Sequence, residues 1–144
     1  MTRIVLDDRL LIEELLVGLR RRGRRNEFHT TMYWYYRACR AAIAGSGGHL
    51  SGPFERLPTE QQDAAVLSLL ELRDDITLAD ALGTVPMMAR LARAHPRLNV
   101  MNLEAVAAAH VLGATVWLSD RAARGVLPEV LDDEGIQWRT ISVG

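Results

Sequence analysis

Lysine is absent from this chain, so all 17 of its basic residues are arginine. This bias is typical of GC-rich genomes, and it excludes any mechanism that needs a lysine amine. The single cysteine, Cys39, cannot form an intrachain disulfide. The four histidines, at positions 29, 49, 95 and 110, are too scattered for a zinc-ligand pattern. The sequence therefore predicts neither a disulfide framework nor a structural zinc site.

Long hydrophobic runs are also absent. No window approaches the roughly 20 consecutive apolar residues of a transmembrane helix. The first residues, with an acid by position 7, do not resemble a secretory signal. We therefore expect a cytoplasmic protein without membrane contact. With 144 residues, 49% of them hydrophobic and 24% charged, the chain suits a single domain over residues 1–144.

The net charge of −1 is distributed unevenly along the chain. Residues 1–56 carry ten arginines against six acids, whereas residues 57–144 carry seven arginines against twelve acids. Five arginines fall within positions 20–25, and those predicted to contact nucleic acid are Arg21, Arg22, Arg24 and Arg25. A solvated helix terminus explains the same cluster, because cations are favourable at the negative end of the helix dipole. Both interpretations stay open.

The order of apolar runs indicates the class of fold. Strands are predicted over residues 3–6, 76–78, 115–118 and 137–141. Helices without a predicted cap cover residues 10–19 and 82–94, and a short one begins at Arg121. Three further helices have predicted caps. The first runs from Thr30 or Thr31 to Gly45, the second covers 59–72 behind a Thr59/Gln62 capping box, and the third runs from Asn102 to 112. Strands separated by helices predict an α/β fold with a central, mainly parallel sheet of four to five strands and helices on both faces.

Acidic residues follow two of the predicted strands. Asp7 comes directly after the first strand, and Asp120 follows the strand at 115–118. Asn102 and Glu104 begin the helix that precedes this second strand, so we expect them at the same edge of the sheet. Clustered oxygen ligands suit Mg²⁺ or Mn²⁺, which can activate water and bind a phosphate oxygen. The alternative is that these aspartates only cap helices.

Two other families with acids after the first strand do not fit. Phosphoacceptor receiver domains require a lysine after a late strand, and this chain has none. Hydrolases with an Asp-x-Asp nucleophile motif require an aspartate at position 9, where this chain has Arg9.

The whole chain resembles a PIN domain, the fold of the VapC-type toxin ribonucleases. Residues 4–12, Ile-Val-Leu-Asp-Asp-Arg-Leu-Leu-Ile, resemble the opening strand and helix of that family. Residues 102–120 resemble its closing segment, in which an acid begins an alanine-rich helix, Gly-Ala follows, and a strand ends in aspartate. The spacing of 11 positions from Asn102 to Gly113 and 18 to Asp120 also fits. The resemblance implies a PIN-like three-layer α/β/α fold.

The resemblance also implies a set of metal ligands. Asp7 falls on the first metal-binding acid of the family and Asp120 on the last, and both are its implied catalytic residues. Asn102 falls on the third acid, and Glu104 is a candidate to assist it. The family's glutamate on the second helix falls near position 35 or 36, where this chain has tyrosines. Two of four acids are therefore replaced.

Two functions follow from these matches. The resemblance implies a Mg²⁺- or Mn²⁺-dependent endoribonuclease of the toxin–antitoxin kind, a homodimer that acts on RNA and has a small antitoxin protein as its partner. The alternative is a catalytically inactive PIN-like module that binds RNA or a protein partner. The retained first and last aspartates favour the enzyme, and the absent glutamate favours the binding module.

Overall fold

The computed structural model describes residues 1–19, 25–45 and 48–143, and these ranges contain five strands and eight helices. The strands are β1 (Thr2–Leu6), β2 (Asn26–Thr30), β3 (Ile76–Leu78), β4 (Thr115–Leu118) and β5 (Trp138–Thr140). The helices are α1 (Asp8–Leu16), α2 (Met32–Ala44), α3 (Gly52–Glu55), α4 (Thr59–Glu71), α5 (Ala81–Ala94), α6 (Val100–Leu112), α7 (Asp120–Ala123) and α8 (Leu127–Asp133).

All five strands join one parallel sheet in the order β3-β2-β1-β4-β5. From β1 the chain adds β2 and β3 on one side, then crosses to add β4 and β5 on the other. The strand order therefore reverses between β1 and β4. In open parallel sheets such a reversal opens a crevice beyond the carboxyl ends of the two strands, where ligands bind.

Helices cover both faces of the sheet. Ile4 and Leu6 of β1 point to a core that includes residues of α1, α2 and α4. Val5 points to the opposite core, which it shares with residues of β4, α6 and α8. The alanine-rich part of α6, Ala105–Ala109, is buried because the helix lies between the sheet and its neighbouring helices. The predicted three-layer α/β/α architecture is confirmed.

Strand β2 is absent from the sequence prediction. Its residues, Asn-Glu-Phe-His-Thr, lack the apolar run that indicates a buried strand. Tertiary context makes it a strand: Phe28 and His29 are buried between β1 and β3, and the Thr30 hydroxyl donates to the Leu6 carbonyl at 2.9 Å.

The predicted capping box of α4 does not form. Thr59 is the first helical residue, and the capping position before it is Pro58, which has no side-chain oxygen. Gln62 instead donates its Nε2 hydrogen bond to the Leu57 carbonyl at 3.1 Å.

The two other predicted caps have different outcomes. Thr31 caps α2, because its Oγ1 accepts from the Trp34 amide at 3.1 Å. Helix α6 begins before Asn102, however, and its cap is Asn99, whose Oδ1 accepts from the Asn102 amide at 2.9 Å. Asn102 therefore lies within the first turn of α6 and does not cap this helix.

Candidate functional site

Asp7 and Ser119 meet where the strand order reverses. Each follows one of the two adjacent parallel strands, β1 and β4. Asp7 Oδ2 accepts two hydrogen bonds from Ser119, from its amide at 2.8 Å and from its hydroxyl at 2.6 Å. Asp7 Oδ1 accepts from the Leu10 amide at 2.9 Å and so caps α1. Three donors hold this carboxylate in place.

The environment of Asp7 alters its titration. The residue is fully buried. Burial raises the pKa of its carboxyl from 3.8 to about 6, and the adjacent Asp8 charge contributes to the rise. The hydrogen bonds from Ser119 and Leu10 oppose it. Asp7 is thus a carboxyl that gains or loses its proton in mildly acidic solution.

Asp8 is neutralised by an arginine. Its Oδ1 accepts from the Arg9 amide at 2.8 Å, and its Oδ2 accepts from Arg37 Nε at 2.8 Å. The Asp8 side chain is only 10% exposed, so the ion pair is largely shielded from solvent. Arg37 lies on α2, the helix on which the PIN resemblance expects a metal-binding glutamate. A fixed ion pair therefore occupies this part of the site.

Asn102 and Glu104, both on α6, have different environments. The buried carboxylate of Glu104 accepts from the amides of Met32, at 3.2 Å, and Tyr33, at 2.9 Å. These amides begin α2, where a negative charge is favourable and the backbone donors have no partner within the helix. Glu104 thus caps α2 from a neighbouring helix, whereas Asn102 lines a pocket at the edge of the sheet.

Asp120 lies on the surface. It is the first residue of α7 and is exposed. Its Oδ1 accepts from the Ser142 hydroxyl at 2.9 Å, in the segment that follows β5. The predicted pair of catalytic acids therefore consists of one buried carboxylate, Asp7, and one exposed carboxylate, each hydrogen-bonded to different partners.

A pocket of about 190 Å³ opens at this edge of the sheet. Its polar lining consists of Asp8, Arg37, His49, Asn102, Ser119 and Arg121. Apolar side chains, including Trp34, Met101 and Leu127, form the rest of the wall. The two guanidinium groups outnumber the one carboxylate, so the pocket favours an anionic ligand.

The pKa of the His49 imidazole reflects the same positive environment. Partial desolvation lowers the pKa of its imidazole below the ordinary 6.5, and the guanidinium of Arg121 lowers it further. Asp8 raises this pKa, while Arg37 and Arg9 lower it. The cations therefore have the larger electrostatic effect at this imidazole.

The side chains at this edge do not fit a divalent cation. A hard cation needs several carboxylate or carbonyl oxygens that converge on one point. Here Asp7 is surrounded by three donors, Glu104 binds two amides, and Asp120 bonds Ser142. In residues 1–19, 25–45 and 48–143, no group of three or more histidine, cysteine, aspartate or glutamate residues is placed to hold a metal. The guanidinium of Arg37 further disfavours a cation.

Most of the predicted basic cluster lies outside the described residues. Arg21, Arg22 and Arg24 belong to the segment 20–24, which the structure does not describe. Arg25 is exposed, and its carbonyl accepts from the Thr2 amide at 3.1 Å at the beginning of β1. The prediction that these four arginines contact nucleic acid stays a prediction.

The sequence analysis missed four residues of this site: Ser119, Arg37, His49 and Arg121. Ser119 and Arg121 flank Asp120 just after β4, and their position beyond a strand end was a usable signal. Arg37 and His49 carried no such signal, since one lies within a helix and the other in a loop. Only the folded chain brings them together.

Comparison with known proteins identifies the fold. No protein-family model and no curated protein matches the sequence. The structure is similar to VapBC-1 from nontypeable Haemophilus influenzae, solved at 2.2 Å resolution, with a TM-score of 0.55 and 16% identity. The match covers 96% of this chain and 98% of that chain. The fold is PIN-like. In the described part of this PIN-like fold, no helix combines the length and apolar character needed to cross a membrane.

Proposed function

We propose that this chain is a PIN-like module that binds RNA by its phosphates, at the pocket beside Arg37, without a catalytic metal ion. The observation that carries the proposal is the 2.8 Å bond between Arg37 and Asp8. Arg121 gives the pocket its excess positive charge, and the guanidinium of Arg37, whose charge Asp8 balances, supplies hydrogen-bond donors where a nuclease of this fold would hold a metal ion. A guanidinium can bind a phosphate, but it cannot generate a metal-bound nucleophile.

The unused guanidinium donors of Arg37 and Arg121 suit phosphate oxygens. Within the described residues, the hydrogen bonds of Arg37 use only its Nε, so the Nη donors of this pocket-lining residue remain available for a ligand. Arg121 is exposed and makes no side-chain hydrogen bond or ion pair in the same residues. A planar guanidinium donates two parallel hydrogen bonds to a phosphate, which a point charge cannot do. Asp8 holds Arg37 in place for this contact.

The test is an RNA-binding titration in EDTA. We expect single-stranded RNA to bind with an affinity that falls as salt rises, because phosphate contacts release counterions. Arg121→Met removes a guanidinium without breaking a contact, and we expect it to weaken binding about fivefold. Arg90→Met is the matched control: Arg90 of α5 is exposed, lines neither pocket beside Arg37, and likewise makes no side-chain hydrogen bond or ion pair in the described residues. Equal affinity of the two variants would contradict the proposal.

A cleavage assay addresses the rival function directly. In Mn²⁺, we expect no cleavage of RNA above the background of Asp7→Asn. Cleavage by the wild-type protein that Asp7→Asn lowers a hundredfold or more would overturn the proposal and establish the metal-dependent nuclease.

A protein partner is a second candidate, and an apolar groove favours it. The groove, of about 590 Å³, lies between the end of α2 and α4. Ile43, Leu67 and Leu70 line it and are 69%, 54% and 43% exposed. Grouped exposed apolar side chains are typical of protein interfaces. The VapC resemblance implies a small antitoxin, so co-expression with the product of an adjacent gene is the test: a complex should form on gel filtration, and Leu67→Asp should abolish it.

A further inference from the structure

We propose that the pocket beside Arg37 binds the terminal phosphate monoester of an RNA strand in preference to an internal phosphodiester. This specificity rests on the RNA binding proposed above. It names the part of the RNA that the site recognises, and four features of the pocket support it.

The pocket is closed on the side of the sheet. Trp34, Ser119 and Asn102 line it and are only 2%, 6% and 9% exposed, whereas Arg121 and His49 are exposed at its rim. Its volume of about 190 Å³ is below the roughly 300–1,000 Å³ of pockets that enclose drug-sized ligands. This volume suits a phosphate with part of one nucleoside, and the rest of the strand then has only the open rim by which to leave.

The hydrogen-bond donors of the pocket suit a terminal phosphate. Arg37 and Arg121 provide two positive charges, and the Asp8 carboxylate offsets one of them. A terminal phosphate carries about −1.5 to −2 charges at pH 7 and has three strong acceptor oxygens. An internal phosphate carries a single charge and has fewer free oxygens. Two guanidinium forks thus gain more from the terminal group.

An exit for the rest of the strand lies beside the pocket. A second pocket, also of about 190 Å³, shares Arg37 and His49 with the first and adds Arg40 and Ser51. Arg40 is exposed and lies three positions after Arg37, so the two arginines are neighbours on one face of α2. A phosphate next to the terminal one can contact Arg40, and the strand then leaves along α2.

The apolar wall gives the terminal nucleoside a surface to pack on. Met101, Ala122 and the exposed Val126 line the pocket and leave apolar surface accessible, whereas Trp34 and Leu127 are almost fully buried behind them. A free inorganic phosphate would leave this surface exposed, whereas the sugar or base attached to a terminal phosphate would cover it. The combination of a cationic rim and an apolar wall therefore matches a phosphorylated nucleotide end.

The experiment uses three versions of one 12-nucleotide single strand: 5′-phosphorylated, 3′-phosphorylated, and hydroxylated at both ends. Affinities are measured for the full chain in EDTA by fluorescence anisotropy, with the dye attached in mid-strand. We expect one phosphorylated strand to bind about tenfold more tightly than the hydroxylated strand, and the arm that does so identifies the end recognised. Arg121→Met should remove the preference, and Arg90→Met should keep it.

The outcomes separate this inference from the function on which it rests. Equal binding of all three strands would overturn the terminal preference and leave RNA binding intact. No binding of any strand would overturn the proposed function as well. A preference that survives in Arg121→Met would place the terminal phosphate at another site and would also overturn the inference.

Discussion

Arg37 on α2 donates a hydrogen bond from its Nε to Oδ2 of Asp8, the first residue of α1, across 2.8 Å. This pair joins two helices at the edge where the strand order reverses. Its charges cancel, so Arg121 gives the pocket its excess of positive charge. In the proposed function, this edge of the PIN-like fold binds an anion where the family resemblance implies a cation.

The pairing of these two residues predicts a non-additive pair of substitutions. Arg37→Met leaves the largely buried Asp8 carboxylate without its ion partner, and we expect it to lower the free energy of unfolding by about 1–3 kcal/mol. Adding Asp8→Asn removes the unpaired charge, so the double variant should recover most of the loss. Urea unfolding of the four proteins measures the coupling. Additive effects of the two substitutions would contradict the pairing.

Glu104 should act as a helix cap. Glu104→Ala leaves the Met32 and Tyr33 amides without their acceptor, and we expect a loss of about 1–2 kcal/mol in the free energy of unfolding. Glu129→Ala is the control, because Glu129 is exposed in the first turn of α8. Thermal or urea unfolding with and without Mn²⁺ provides the measurement. A loss that appears only when Mn²⁺ is present would instead indicate a metal ligand.

The raised pKa of Asp7 predicts a pH dependence of stability. The folded protein holds a proton on Asp7 up to about pH 6, whereas the unfolded chain releases it near 3.8. The contribution of this group to stability is therefore fully present below pH 3.8 and is lost as the pH rises to about 6. The stability of the wild type relative to Asp7→Asn should fall by up to about 3 kcal/mol over this range.

Urea unfolding of both proteins at a series of pH values tests this dependence. The comparison with Asp7→Asn removes the contributions of other acids, such as Glu14, whose carboxylate pairs with Arg73 at 2.6 Å. A difference in stability that stays constant from pH 4 to pH 7 would mean that the Asp7 carboxyl titrates as in the unfolded chain.

The sequence predicted the three-layer architecture correctly but missed one strand of the sheet, β2. Apolar runs that end in turn residues indicated β1, β3 and β4, since a buried parallel strand needs apolar side chains on both faces. Strand β2 was not predicted because its buried residues include two polar ones, His29 and Thr30. These are hydrogen-bonded to Glu27 and to the Leu6 carbonyl. Such partners are distant in sequence or not apolar, so hydrophobic periodicity does not report them.

The candidate site was only partly accessible from the sequence. The position of Asp7 at the end of β1 followed from the strand that precedes it. The different roles of Asp120 and Glu104 did not, because each depends on a partner, Ser142 or the amides of α2, that the fold brings near. His49 joins the site only because the fold places it beside Arg37 of α2.

The arginine cluster gives a prediction for salt dependence. Replacing Arg21, Arg22, Arg24 and Arg25 together by glutamine should weaken RNA binding and flatten the plot of log affinity against log salt, since each lost phosphate contact lowers the slope by about 0.7 for a single strand. Anisotropy titrations from 50 to about 300 mM salt measure this slope. An unchanged slope would mean that the cluster does not contact RNA; α1 ends at Leu16, before the cluster begins.

The last prediction concerns His49, which lines both pockets beside Arg37. The charged groups that act on its imidazole are Arg121 of α7, Arg37 of α2, and Asp8 and Arg9 of α1. Because its pKa lies below the ordinary 6.5, the imidazole is mostly neutral at pH 7 in the free protein. A bound phosphate dianion favours the imidazolium, so binding should be accompanied by proton uptake.

Proton uptake requires that the affinity for the terminally phosphorylated strand rise as the pH falls from 8 to 6.5, by at most about tenfold per unit for a single proton. The range stops there because the second pKa of the phosphate, near 6, reduces the ligand charge in more acidic solution. His49→Gln should bind with little pH dependence, and the hydroxylated strand should show little with either protein. NMR titration of the wild-type imidazole provides a direct measurement: its pKa should lie below 6.5 without RNA and rise when the phosphorylated strand is bound. An imidazole pKa that does not change on binding would remove His49 from the phosphate site.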